Sequence, residues 1–502
     1  MSFLDNLKET TTEGYTENGA KTFTSTLNHN LDLYAQAGAI RSRLDDAGMM
    51  FSRAYSEDKG LALRNLSYLR DVRGGLGERQ AFRNMVNTLI EVDPKVAMEY
   101  LEYVPMLGRW DDLVEMYYHA KITGVKEVAM RALIIMSTQL YTDLGNMQEK
   151  KEISLLAKWL PSPSVKNKRR KKQANMLAKD LELSVRDLRQ TLSAMRKYIE
   201  IVETKLTEKN YDAIDFEKLP SRALFKYRAS FQRNMTEKYE NFIDRVSSGE
   251  VKMNASNILP YEIIKNYFDY QGWGGHQLKE FDKSLEATWK SLDDTIGECE
   301  ESAIVVADTS GSMMGDPWYV AQSLAIYSAE RLKGPFANHF ITFSNTPQLI
   351  ELPKQGTLRD KMYEYNNHSI IQNTDIEAVF KLILGTAVKN NTPQSELPTK
   401  IIIVSDMEFD YMTNNSDVTV FEGMKKMYAE AGYQMPNVVF WNVESRSSNT
   451  PVRHNEQGVA LVSGLTPNIF KEVLLKDFIS PEGMMLETLM SERYDFVEKV
   501  LK

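Results

Sequence analysis

Cysteine is almost missing from this sequence: Cys299 is the single one in 502 residues. No internal disulfide can form, which excludes a small secreted fold stapled by disulfides. The six histidines are scattered at positions 29, 119, 276, 339, 368 and 454. There is thus no Cys/His cluster for structural zinc and no Ser/His/Asp or Cys/His arrangement for nucleophilic catalysis. Long apolar runs are missing too, since nothing approaches the ~18 consecutive apolar residues of a membrane span. The opening MSFLDNLKETTTEGYTENG has neither the basic start nor the apolar core of a secretory signal. These absences predict a reducing, cytoplasmic setting and no membrane partner.

What is present is ordinary for a folded chain: 42% hydrophobic and 26% charged residues. The length predicts roughly two to four domains of about 100 to 200 residues each. The net charge of −8 is unevenly spread. Residues 1–300 carry 44 basic and 44 acidic side chains, whereas residues 301–502 carry 17 and 25. Within the neutral part, residues 151–233 hold 20 basic and 10 acidic side chains, the kind of concentrated patch that phosphate backbones select. A solvated helical face has the same composition.

From about Leu61 to Trp289 apolar residues recur at spacings of three and four, as in Leu188, Leu192, Met195, Ile199, Val202 and Leu206. Turn signals at Gly74-Gly75, Pro105, Pro161 to Pro163, Pro220 and Gly272 to Gly275 cut this into helices of ~10 to 25 residues. A stacked array of helical hairpins suits the rhythm. Residues 1–35, rich in Thr, Asn and Glu, read as a flexible arm. After Glu301 the texture changes to short apolar runs: Ala303–Ala307, Phe340–Phe343, Lys400–Val404, Val438–Trp441 and Val459–Val462. Helix-patterned segments such as Trp318–Leu332 and Ile376–Lys389 separate them, which predicts a doubly wound α/β domain with buried parallel strands.

The strand Ala303–Ala307 runs into Asp308-Thr-Ser-Gly-Ser312. In a doubly wound sheet, ligands bind beyond the carboxyl ends of the strands, where this loop lies. A carboxylate followed by hydroxyls at i+2 and i+4 offers hard oxygens without sulfur or imidazole, a set that suits Mg²⁺ first, and Mn²⁺ or Ca²⁺. Two further pieces stand at comparable places: Asn373-Thr374-Asp375 before a helix, and Asp406 at the end of Lys400-Ile-Ile-Ile-Val-Ser. Together they resemble the metal-ion-dependent adhesion site of von Willebrand factor A domains. The resemblance implies that Asp308, Ser310, Ser312, Thr374 and Asp406 hold one divalent ion. Helix caps and turns are the plainer use of such residues. With few carboxylates in the set, a position on the ion stays open for a partner's carboxylate. Hydrolysis by a metal-activated water needs an aligned base, and Glu408 is the one nearby candidate. The chain is accordingly expected to bind rather than to catalyse.

In the helical half, Tyr68-Leu-Arg-Asp-Val-Arg-Gly-Gly-Leu-Gly-Glu-Arg-Gln-Ala-Phe82 and Val104-Pro-Met-Leu-Gly-Arg-Trp-Asp-Asp-Leu113 stand out. As residues alone they are tight connections whose arginines brace neighbouring helices. Followed by the adhesion-site pattern, they resemble the Ro autoantigen family, a TROVE module joined to a von Willebrand factor A domain. The likeness is greatest to the branch met in bacteriophages, large viruses and some eukaryotes. Segments Ser154–Pro161, Leu219–Arg228, Asn437–Val443 and Leu461–Gly464 extend it across roughly residues 40 to 475. The resemblance implies a ring of HEAT-like helical repeats closed through the adhesion-site domain. Single-stranded RNA ends would enter a basic hole, and structured small noncoding or misfolded RNA would be bound and presented to nucleases. Lys166, Lys168, Arg169, Arg170, Lys171 and Lys172 are expected on a connecting loop, with Arg186, Arg189, Arg222, Lys226 and Arg228 on helices beside it. These RNA-binding residues rest on charge and placement alone. Phe225 and Tyr227 are interleaved among them, although aromatics at helical spacing more commonly fill a core.

The sequence thus predicts a flexible arm over 1–35, an all-α repeat domain over 36–295, an α/β domain over 296–475 and a C-terminal helical segment over 476–502. A monomer in the cytoplasm is expected, the host's cytoplasm if the gene is a phage's. The competing reading is a protein-assembly or virion-associated scaffold that binds through the metal site and has lost RNA.

Overall fold

Continuous Val/Ile runs form strands when both of their faces are covered, because every side chain is then in the interior. In the computed structural model, which describes residues 10–270, 276–297, 299–343, 346–368, 375–410, 419–476 and 480–502, the five predicted runs are strands. They are β5 (Ala303–Asp308), β6 (His339–Phe343), β8 (Lys400–Ser405), β9 (Asn437–Asn442) and β10 (Val459–Ser463). Before them in the chain come two small antiparallel pairs, β1 (Glu13–Tyr15) with β2 (Lys21–Phe23), and β3 (Phe268–Tyr270) with β4 (His276–Leu278). An edge strand that the sequence did not announce, β7 (Leu349–Glu351), pairs antiparallel with β6.

The large sheet has the order β10-β9-β8-β5-β6-β7, and its first five strands are parallel. The chain leaves β5 toward β6 and β7 on one side and returns to β8 on the other. The carboxyl ends of β5 and β8 therefore flank the point where the strand order reverses, where a crevice opens in such sheets. Register fixes what meets there: Ala307 pairs with Val404, so Asp308 and Ser405 follow side by side. Ile304, Val306, Ile401, Ile403 and Phe440 pack one face against Val379 and Phe380 of the Ile376–Asn390 helix and Phe421 and Tyr428 of the Val420–Glu430 helix. The alternate residues Val305, Ala307, Ile402 and Val404 are also fully buried, and the Asp316–Arg331 helix packs against β5, β6 and β8.

Two compact units divide the chain: Met1–Leu44, Arg53–Asn65 and Ala255–Glu492 in one, Asp45–Ser52, Leu66–Asn254 and Arg493–Lys502 in the other. The boundaries expected from sequence differ from these at four places. Residues 36–44 and 53–65, expected in the helical domain, go with the α/β unit. Residues 255–295 go with the α/β unit, where the Pro260–Asn266 helix packs on the Asp316–Arg331 helix. The expected arm is, over residues 10–36, an integral part of that unit. Thr16 Oγ1 donates to the Phe409 carbonyl at 2.6 Å, and Thr22 Oγ1 to the Thr450 carbonyl at 2.8 Å. Ala20 enters the sheet's core, and the His29–Gln36 helix packs against β10. Threonine hydroxyls that look solvated in a sequence serve here as donors to neighbouring backbone. The expected C-terminal segment is split, with Pro481–Leu489 packing on β10 and the last ten residues belonging to the helical unit.

No strand interrupts residues 66–254 among those described. Its two distinctive motifs form a buried ionic brace. Asp112, fully buried, accepts from Arg70 Nε at 2.9 Å and from Arg83 Nε at 2.7 Å, while Arg83 Nη2 reaches Asp111 at 2.8 Å. Gly108 makes this possible, since a Cβ there would lie 2.5 Å from Arg70 Nε and 2.6 Å from Asp112 Oδ2. The end of the chain is pinned within the same unit. Arg493 pairs with Asp71 through two nitrogens, and Phe496 stacks on Tyr103 with centroids 4.3 Å apart. The apolar series from Leu188 to Leu206 is not one helix: Val185–Tyr198 ends before Glu200, which takes φ 49°, and a new helix starts at Val202.

Candidate metal centre and basic face

At the carboxyl end of β5 the chain turns sharply, and the turn is stitched by its own side chains. Asp308 Oδ1 accepts the Ser310 N–H at 2.8 Å, and the Ser310 and Ser312 hydroxyls meet at 2.9 Å. From β8, Ser405 Oγ donates to Asp308 Oδ2 at 2.6 Å. Asp406 accepts from the Glu408 N–H at 3.3 Å. Four of the five residues expected from sequence, Asp308, Ser310, Ser312 and Asp406, therefore stand together. Thr374 lies outside the described residues.

Two carboxylates so placed disfavour each other's charge. Burial, then the neighbouring Asp406 carboxylate, push the Asp308 acid up to about 7, against hydrogen bonds from Ser405 and Ser310. Burial also raises Asp406, against the Ser312 hydroxyl, the Glu408 N–H and the Arg446 guanidinium. Asp406 Oδ2 is buried with no hydrogen-bond partner. The cation beside it is Arg446, whose Nε stands 3.5 Å away. An orphaned anionic oxygen in the interior calls for a positive ligand. No group of three or more His, Cys, Asp or Glu side chains is placed to hold a metal among the described residues. The donors here are instead two carboxylates and the hydroxyls of Ser310 and Ser312, a hard-oxygen set suited to Mg²⁺, Mn²⁺ or Ca²⁺. Ser405 and Arg446 escaped the sequence reading. Ser405 was legible as the neighbour of Asp406 on a strand paired with β5, whereas nothing in the sequence ties the loop after β9 to the site.

Glu408, the one candidate base, is completely buried and committed on both oxygens. Its Oε2 accepts the Glu17 N–H at 2.7 Å, and its Oε1 accepts the Ser447 hydroxyl at 2.6 Å. It ties the turn after β1 to the loop after β9, with one hydrogen bond on each oxygen.

In the helical unit, the expected connecting loop is largely helix. Lys166 precedes it, exposed, and Lys168–Asp180 is helical, with Asn167 as its N-cap accepting the Arg170 N–H at 3.0 Å. Lys and Arg are good helix formers, and Gln173, Ala174, Leu177 and Ala178 give this cationic segment a face to bury. Arg170 is spent on structure, donating to the Trp159 carbonyl at 2.8 Å. Arg169 pairs with Glu115 at 2.5 Å and lies 5.3 Å from the centre of the Tyr118 ring. Lys168, Lys171, Lys172 and Lys179 line an open depression of about 490 Å³ with Asn175 and Met176. Lys179 was missed from sequence, although 168, 172, 175 and 179 fall on one stripe once the segment is read as helix. Arg186 and Arg189 are exposed on the Val185–Tyr198 helix, which packs on Lys168–Asp180. Arg222, Lys226 and Arg228 stand on Ser221–Asn234. Tyr227 and Phe225 are half-buried, under Lys226 and Arg228 at 4.8 and 5.1 Å.

A helical unit and a mostly parallel α/β unit with an acid–hydroxyl cluster at its strand ends define the class. The chain belongs to the family described as domain of unknown function DUF2828, whose model matches residues 16–133 and 165–300, just over half of its length. Residues 302–498 match a second model, described as domain of unknown function DUF7788. The chain is 27% identical to "Uncharacterized protein L728" of Acanthamoeba polyphaga mimivirus, a large virus, over 95% of this chain and 87% of that protein. No helix among the described residues is long and apolar enough to cross a membrane.

Proposed function

We propose that the chain is a Ro-like binding protein whose acid–hydroxyl cluster takes up a divalent cation, Mg²⁺ before Mn²⁺ or Ca²⁺, and through it captures a carboxylate of a protein partner. Asp308, Ser310, Ser312 and Asp406 hold the ion, with Thr374 as a fifth ligand. When bound, the ion supplies a Lewis-acidic position for an anionic oxygen. The reading is supported above all by Asp406 Oδ2, an anionic oxygen in the interior that no donor satisfies. In the helical unit, the lysine-lined depression supports binding of structured or misfolded RNA through its phosphates. The even balance of charge over residues 1–300 favours the second reading, a scaffold that binds through the metal site without RNA.

Titration calorimetry tests the first element. The wild-type chain takes up one equivalent of Mg²⁺, and Asp308→Ala abolishes the heat while the far-ultraviolet dichroism of the helices is kept. Undiminished uptake by Asp308→Ala rejects the assignment. RNase-sensitive absorbance at 260 nm in the purified protein separates the RNA reading from the scaffold.

A further inference from the structure

Two buried carboxylates side by side need a shared proton or a positive neighbour. The loop after β9 provides such a neighbour. Arg446 Nη2 donates to the Ser312 carbonyl, and Arg446 Nε stands 3.5 Å from Asp406 Oδ2. That separation makes an ion pair but is too long for a hydrogen bond. The loop is fixed on both sides of this residue. The Ser445 N–H donates to the Ala39 carbonyl at 2.9 Å, and Ser447 Oγ to Glu408 Oε1 at 2.6 Å. The backbone at 446 is thus held toward the acid pair, while the side chain, one third exposed, is the part that can move.

A guanidinium is broad and flat, and here it meets Asp406 only from the rim. It offsets the charge of the pair without satisfying Oδ2. A small doubly charged ion at that oxygen would stand against the guanidinium, positive on positive. Resting on the cation site proposed above, we infer that Arg446 sets the specificity of that site: its guanidinium is the resident counter-charge of Asp308 and Asp406, and a cation binds by displacing it from Asp406. The acid pair then keeps a positive neighbour in the absence of metal, and monovalent ions compete poorly for it. The threshold for occupancy is set by how firmly the guanidinium holds Asp406.

The test uses the full chain as wild type, Arg446→Gln and Arg446→Lys. Each is titrated with MgCl₂ in a calorimeter and melted in EDTA and in saturating Mg²⁺. Arg446→Gln binds Mg²⁺ about tenfold more tightly than wild type, because the competing charge is gone. In EDTA it melts below wild type, since the acid pair has lost its counter-charge, and Mg²⁺ raises its melting temperature by more than it raises that of wild type. Arg446→Lys keeps the charge and stays within about threefold of wild type in affinity. Equal Mg²⁺ affinity in wild type and Arg446→Gln overturns the role of Arg446 and leaves the cation site standing. No uptake by either protein overturns both.

Discussion

At the residue scale, the two acids of the proposed site were legible because each stands at the end of a strand whose apolar run announces it. Asp308 and Asp406 follow two such runs, and the parallel register of β5 and β8 brings them together. What they touch was not legible. Glu408 looks in sequence like a surface carboxylate, yet it is buried by Glu17 and Ser447, 391 and 39 positions away. The brace around Asp112 was legible in kind, as arginines steadying helices, but not in detail. Removing the shared carboxylate leaves Arg70 in the interior without its carboxylate partner and Arg83 with Asp111 alone, so Asp112→Ala lowers the stability of the helical unit by about 3–5 kcal/mol. Gly108→Ala acts on the same brace by forcing Arg70 off Asp112. Chemical unfolding followed by helical dichroism reads both, and a loss below about 1 kcal/mol in Asp112→Ala contradicts the brace.

At the element scale, the strands of the large sheet were predicted to within a residue or two, since a run of buried β-branched residues has few other uses. The short elements were not: β1, β2 and β7 have three residues each and carry no periodicity. Six charges in seven residues suggest a solvated loop, but the segment has a buried face that begins only at Gln173. That correction changes which residues to test for RNA. Arg170 holds the Trp159 backbone and should be left alone. Lys168→Glu, Lys171→Glu, Lys172→Glu and Lys179→Glu together weaken RNA binding. They also flatten its dependence on salt, by about 0.7 in log–log slope for each single-strand phosphate that is no longer neutralised. Filter binding across a salt series checks this, and an unchanged slope removes the helix from the RNA account.

At the scale of the whole molecule, the sequence marked two textures and the change between them near Glu301, where the matches to the two family models also meet. It misassigned the segments that return to a unit from a distance. Residues 10–36 and 255–295 pack in the α/β unit, and residues 493–502 in the helical one. The first and last of these depend on pairings between residues hundreds of positions apart, which leave no local pattern. The central claim for the whole chain is that one hard cation is held where the order of strands reverses. Crystals grown or soaked with MnCl₂ and measured at the manganese absorption edge test it most directly. A single anomalous peak about 2.1 Å from Asp406 Oδ2, shared with Asp308, Ser310 and Ser312, is the expected result. Full Mn²⁺ occupancy elsewhere on the chain, with no peak at Asp406, would contradict it.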